Sequence, residues 1–208
     1  MDLRELALVY DADTRVAQSE RLRTVDRLQL RPGDTVVDVG CGTGLCFAPI
    51  VDSIGPRGLL VGVDASPHML QEAAKRRDES GWANVDLVCG QAETVPMPRR
   101  VDAVLFSLCH DVVRSRPALE NVFASTRPGA RVASFGSKWA SLSELWWAPL
   151  WTAIINGLAA AMNGPYVRSF EGFDRPWSHL EEFVPDLHVM PTFGGGAYLA
   201  WGRTPSTN

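Results

Sequence analysis

Val36-Val37-Asp38-Val39-Gly40-Cys41-Gly42-Thr43-Gly44 is the stretch that decides the fold of this 208-residue chain. Thr35 and the valines form a short β-branched run, which reads as a strand buried on both faces. Three glycines at alternate positions follow at once. They let the backbone turn sharply and leave no Cβ in the way of an approaching ligand. A helix is expected next, over residues 44–54. In an open parallel sheet, such a loop at a strand's carboxyl end is where ligands bind. The same glycines would also serve a tight turn with no ligand at all.

Outward from this loop, strand-like and helix-like segments alternate. A helix over residues 14–28 precedes the turn Arg31-Pro32-Gly33-Asp34. A second strand, residues 59–63, follows Gly55-Pro56-Arg57-Gly58. Ser66 as N-cap and Pro67 at the first helical position open a helix to about residue 79, with Gly81 just beyond it. Strands are expected over residues 85–89, 101–106 and 131–135. A helix over 117–126 and the turn Arg127-Pro128-Gly129 separate the last two. Two further strands, 187–190 and 197–201, flank Gly194-Gly195-Gly196.

This order implies an α/β, Rossmann-like fold: a doubly wound, mostly parallel seven-stranded sheet with helices on both faces. One domain is expected. Its parts are an N-terminal helical lid (1–30), a cofactor-binding core (31–137), an aromatic-rich helical insert covering the substrate after strand 5 (138–185), and C-terminal strands (186–208).

Composition narrows the function classes. A net charge of -4 and the lack of a basic run argue against nucleic-acid partners. The start of the chain carries Asp2, Arg4 and Glu5 and lacks the apolar core of a signal peptide. The longest apolar approach, residues 145–162, is broken by Pro149, Asn156 and Gly157, so no membrane association is expected. Cys41, Cys46, Cys89 and Cys109 make no Cys-x-x-Cys pair and read as reduced thiols of a cytoplasmic protein. His68, His110, His179 and His188 are scattered, so no metal site is expected.

Two neighbours sharpen the glycine loop. Its spacing is G-x-G-x-G, and the third glycine of a dinucleotide fingerprint would fall on Leu45. The loop therefore suits a nucleoside joined to an amino acid better than a pyrophosphate. Asp64 closes the second strand, where a carboxylate can accept from both ribose hydroxyls. Asp64 could instead cap the helix after it.

Val36 to Gly44 followed by Val61-Gly62-Val63-Asp64-Ala65-Ser66-Pro67-His68-Met69-Leu70 resembles the class I S-adenosylmethionine-dependent methyltransferases. It is similar to their small-molecule branch of ubiquinone/menaquinone-biosynthesis type, over residues 10–136. The resemblance implies S-adenosyl-L-methionine as cofactor and S-adenosyl-L-homocysteine as product. It implies that Asp38, Gly40, Gly42 and Gly44 surround the methionine part, that Asp64 with Ala65 holds the ribose, and that Met69 lies near the adenine. Gly90-Gln91-Ala92-Glu93 departs from the family's Gly-Asp-Ala-Glu. The Gln91 amide oxygen can still accept from the adenine amino group, with Ala92 beside it; the alternative is a Gln91 that faces solvent. Ser107 and Leu108 match the strand end whose carbonyls receive the cofactor's amino group. Tyr10, with Arg15, resembles a tyrosine-bearing lid.

A sulfonium methyl group is already activated, so the protein mainly positions the acceptor and excludes water. His110 is the candidate base and Asp111 its orienter. Both could instead be ordinary residues of a helix start. Glu144, His179 and Tyr166 have less positional support. Trp139, Trp146, Trp147, Trp151 and Tyr166 make the insert a candidate wall for a small apolar or aromatic acceptor. The same aromatics would serve a core or a dimer surface. Arg168 and Arg175 could bind an acidic group on the substrate or remain surface charges.

Methyl transfer to a small molecule is the leading expectation, from a monomer or homodimer. The alternatives are a cofactor-binding relative that catalyses a non-methylating rearrangement, and a protein methyltransferase.

Overall fold

A computed structural model describes residues 10–12, 14–141, 149–164, 167 and 169–206. Its elements are α1 (Gln18–Arg27), β1 (Thr35–Val39), α2 (Phe47–Ile54), β2 (Leu59–Asp64), α3 (Pro67–Ser80), β3 (Val85–Cys89) and β4 (Val101–Ser107). They continue with α4 (His110–Val113), α5 (Arg116–Phe123), β5 (Thr126–Ser137), α6 (Pro149–Asn163), β6 (His188–Thr192) and β7 (Ala197–Arg203). Short 3-10 turns cover Arg15–Ala17, Pro176–Glu182 and Phe193–Gly195.

One seven-stranded sheet has the order β3-β2-β1-β4-β5-β7-β6. Strands β1 to β5 are parallel, and β7 runs antiparallel to both of its neighbours. The α/β, doubly wound expectation is met.

The two-residue period of each strand sorts its side chains between two cores. Val37, Val39, Val61, Val63, Val104 and Phe106 pack with Ala118, Leu119 and Val122 of α5 on one face. Val36, Leu60, Ala103 and Leu105 pack with α1, α2 and α3 on the other, through Val25, Phe47, Ile50 and Leu70. By the same period Asp38 and Ser107 point to the α1 side. That placement builds the site described below.

Several boundaries differ from expectation. The first helix opens at Gln18, after a 3-10 turn, rather than at residue 14. Helix α2 begins at Phe47 because the loop residues 41–46 spend two turns leaving the strand. Helix α5 ends at Phe123 and β5 begins at Thr126. The Arg127-Pro128-Gly129 turn survives as an irregularity inside β5, where the register with β4 jumps from Val101↔Thr126 to Ala103↔Arg131. Helix α3 keeps its expected caps: Ser66 Oγ accepts from Met69 N at 3.3 Å, and Gly81 is left-handed at φ 68°.

Arg131 ties the amino ends of the sheet together. Its guanidinium pairs with Asp34 at 2.7 Å and donates to the carbonyls of Gln29 at 2.8 Å and Asp102 at 3.3 Å. Both partners of the ion pair are buried. Arg131→Met would strand the Asp34 carboxylate and is expected to cost about 3–5 kcal/mol. Urea titration checks this, and a loss under about 1 kcal/mol, the level of a surface pair, would contradict it.

Candidate functional site

The strand order reverses between β1 and β4, which opens a crevice at their carboxyl ends. The glycine loop lines it. Gly40 N and Cys41 N donate to Val63 O at 2.8 and 3.0 Å. Gly42 N donates to Asp64 Oδ2 and Ser66 N to Asp64 Oδ1, both at 2.8 Å. The Asp64 carboxylate thus fastens the loop to the end of β2, with lone pairs left over for hydroxyl donors.

The three loop glycines do different jobs. All have positive φ, between 56° and 79°. A Cβ on Gly40 would stand 2.5 Å from Cys109 Cβ, and one on Gly44 would stand 2.7 Å from the Phe47 ring. Those two permit packing within the chain. Gly42 meets only the Tyr10 ring, at 3.6 Å, so it is the one whose open side faces the crevice.

Below the loop lies a set of buried polar side chains with unpartnered atoms. Asp38 is 1% exposed, and neither carboxylate oxygen has a hydrogen bond. Arg21, reaching in from α1, is 2% exposed, and its Nη2 has none. Ser107 Oγ is in the same condition. Burial, and next the charge of Asp64, push the Asp38 carboxyl up to about 7, while Arg21 pulls it down. Orphaned buried polar atoms are rare unless something else satisfies them. A zwitterionic amino-acid group fits this set, with its ammonium on Asp38 and its carboxylate on Arg21. Arg21 was not among the residues singled out from the sequence. The clue was an arginine at a position where Val25 and Leu28 of the same helix face the core.

The N-terminal segment closes over the loop. Asp11 accepts from Thr43 Oγ1 and from Arg76, whose Nε also donates to Thr43 O at 2.9 Å. Arg21 Nη1 holds Thr14 O at 2.9 Å. Tyr10 hydrogen-bonds to Arg21, and burial pushes its phenol up to about 12, with Arg21 lowering it.

The other expected cofactor residues flank the crevice. Ala65 is exposed beside Asp64, and Met69 is buried at the start of α3. Gln91 is exposed, while Ala92 is buried. Asn121 of α5 holds their loop by donating to Ala92 O and Val95 O, each at 2.9 Å. Leu108 sits at φ 56°, a conformation that costs a non-glycine residue about 1–2 kcal/mol.

A cavity of about 480 Å³ adjoins the loop. Tyr10 and Val16 bound it on one side; Leu108, Cys109 and His110, at the junction of β4 and α4, on a second; Phe135 and Ser137 of β5 on a third. Ile155 and Leu158 of α6, Phe193 and Tyr198 complete it. Its wall is mostly apolar, with a polar spot where Ser137 Oγ donates to Asn163 Oδ1 at 3.0 Å.

His110 Nε2 meets Glu171 O at 3.2 Å, which makes it the donor and leaves the lone pair on Nδ1. Nδ1 is buried without a partner. Burial pulls the imidazole below its usual range, with the Glu171 carbonyl and Asp111 opposing. Asp111 is not among the residues that line the cavity, and the Glu171 carbonyl holds the Nε2 side of the ring. Trp139 does not line it either, and packs on Phe170 and Phe173. Arg175 pairs with Glu181 at 2.8 Å and His179 with Glu182 at 3.4 Å, both away from the cavity. Glu144, Trp146, Trp147, Tyr166 and Arg168 lie outside the described residues. Among the described residues no cluster could hold a metal ion, and no helix is long and apolar enough to cross a membrane.

Residues 36–129 match the family model described as a methyltransferase domain. Aklanonic acid methyltransferase of Streptomyces sp. (strain C5) is 38% identical over 78 residues, covering 38% of this chain and 36% of that protein. Demethylmenaquinone methyltransferase of Geobacillus sp. (strain WCH70) is 30% identical over 111 residues, covering 52% and 47%. The chain thus spans under half the length of these two curated relatives. A solved S-adenosylmethionine-dependent methyltransferase from Aquifex aeolicus shares the fold, with TM-score 0.66 at 15% identity, covering 98% of this chain and 100% of that one. Residues 36–129 are thus similar to a methyltransferase domain, on a fold shared with a solved S-adenosylmethionine-dependent methyltransferase.

The Asp38 carboxyl gives a test. Between the ordinary value of 3.8 and about 7, the folded chain holds a proton that the unfolded chain has released. Stability of the ligand-free protein therefore falls as pH rises through that window. Asp38→Asn removes this dependence. Its stability relative to the parent should climb between pH 4 and pH 7, by at most about 4 kcal/mol. Denaturant titrations at both pH values measure it, and a flat difference would contradict a buried, unpaired carboxylate.

Proposed function

We propose that this chain transfers the methyl group of S-adenosylmethionine to a small, largely apolar or aromatic metabolite. The observation that carries the reading is the unpartnered Asp38 carboxylate and Arg21 Nη2 under the glycine loop, set beside an apolar cavity. In this reading Asp38 and Arg21 hold the amino-acid end of the cofactor, with the loop backbone and the carbonyls of Ser107 and Leu108. Asp64 takes the ribose hydroxyls, and Met69, Gln91 and Ala92 border the adenine. Tyr10 covers the join between cofactor and acceptor, since it lies over Gly42 and also lines the cavity.

When bound, the sulfonium supplies an already activated methyl group. The chain's own task is to orient the acceptor and keep water out. Leu108, Phe135, Ile155 and Tyr198 shape an apolar slot, which favours a ring or a short apolar body of limited size. His110, neutral at pH 7 because burial lowers its basicity, accepts the acceptor's proton at Nδ1. Two of the relatives above are named for acting on aklanonic acid and on demethylmenaquinone, both ring-bearing molecules. The cysteines are free thiols, in keeping with a reducing cytoplasmic setting.

A labelled-methyl assay against apolar phenols, quinols and amines tests this. Transfer is expected to a ring-bearing neutral acceptor, and His110→Ala should lower kcat by about 10²–10⁴-fold. In the parent, kcat should fall as pH drops through the lowered imidazole value. Cofactor binding with no transfer across the panel would instead favour a non-methylating relative. Transfer only to protein would favour a protein methyltransferase.

A further inference from the structure

Helix α6 is anchored along one side only. Thr152 and Ala159 are buried, Asn156 exchanges hydrogen bonds with the Ala140 backbone, and Asn163 accepts from Ser137. The other side is apolar and exposed: Leu150 75%, Trp151 52%, Ile154 43% and Leu158 57%. None of the residues of α6 carries a charge. Phe193 and Val16, 48% and 60% exposed, extend the patch at the cavity mouth.

We infer that this face is a two-fold interface whose partner is α6 of a second copy of the chain. The pattern of the face selects that occupant. Leu150, Ile154 and Leu158 recur every fourth residue and form a ridge. Ala153, Gly157 and Ala161 recur at the same spacing beside it and form a groove. On a two-fold axis the ridge of each copy lies in the groove of the other, the packing in which i±4 rows interdigitate. A lipid surface asks for apolar area but not for a matched ridge and groove. The absence of charge means that self-apposition meets no like-charge repulsion.

The area agrees. The exposed side chains of the patch present roughly 600 Å² per copy, at the upper limit for a monomer's surface patch and near the ~800 Å² per partner of a stable complex. The second copy then walls the cavity mouth, because Val16, Leu158 and Phe193 line both.

Gly157 provides a clean test. A Cβ there meets nothing within 4 Å, so Gly157→Leu fills the groove without disturbing its own chain. Light scattering after gel filtration of the full chain, at tens of micromolar, should give twice 22.7 kDa for the parent. Gly157→Leu and Ile154→Arg should each weaken association by roughly tenfold or more, with unchanged circular dichroism and melting. Gly157→Cys, with the exposed Cys89 replaced by serine, should form a disulfide-linked dimer on mild oxidation. A monomeric parent overturns the inference, as does a dimer indifferent to both substitutions or a Gly157→Cys chain that does not cross-link. Flotation of a monomeric parent with phosphatidylcholine/phosphatidylglycerol vesicles overturns it in favour of a membrane surface.

Discussion

A carboxylate buried without a partner is the constraint around which the rest of this structure is arranged. Asp38 sits at the carboxyl end of the central strand β1, on the face shared with α1, and is almost wholly shielded from water. Burying it costs folding free energy, which shows as a carboxyl pushed up to about 7. Among the described residues no hydrogen bond to the carboxylate offsets that cost. Arg21 stands near enough to act on it electrostatically, yet keeps an unpartnered nitrogen of its own. A stable fold with no ligand would favour a direct ion pair or two apolar residues instead. The arrangement makes sense as a receptor for a group that brings one charge for each.

The neighbouring parts hold that receptor in shape. Asp64 pins the glycine loop through Gly42 N and the next turn through Ser66 N. Gly40 and Gly44 let Cys109 and Phe47 pack against the loop, leaving Gly42 alone to face the crevice. Asp11 bridges the loop's Thr43 to Arg76 of α3, so the N-terminal segment is held down over the same loop. The same segment lines the adjoining cavity through Tyr10, Thr14, Val16 and Ala17. Two of its lining residues, Leu108 and Phe193, have left-handed backbones despite their side chains. Such conformations survive where surrounding structure imposes them, which is common at functional sites.

Much of this was legible in the sequence, and the reasons are physical. The β-branched runs ending in glycine or aspartate mark parallel strands, because strands buried on both faces read as continuous apolar stretches. Ser66-Pro67 and Gly81 mark both ends of α3 because capping chemistry is local. The glycine loop and Asp64 pointed to a nucleoside ligand by spacing alone. What sequence concealed depends on contacts between distant segments. Arg21 is one of several arginines on a charged helix, and only packing shows that it turns inward. Asp111 follows His110 in sequence, but a backbone carbonyl sixty-odd residues away fixes the ring. Trp139 looked like a cavity wall and instead packs on Phe170 and Phe173. The cavity walls come from Phe135, Ile155 and Tyr198, ordinary apolar residues until the sheet and α6 bring them together.

Under the proposed function Asp38 receives the cationic end of the cofactor. Calorimetric titration of the protein with S-adenosylhomocysteine at pH 6.5, in buffers of differing ionisation heat, addresses it directly. An ammonium placed beside Asp38 lowers its carboxyl from about 7, so binding should release a substantial fraction of a proton. That release should shrink at pH 8 and vanish, with most of the affinity, in Asp38→Asn. Absence of binding at millimolar ligand, or binding with no buffer dependence in the parent, would contradict the account.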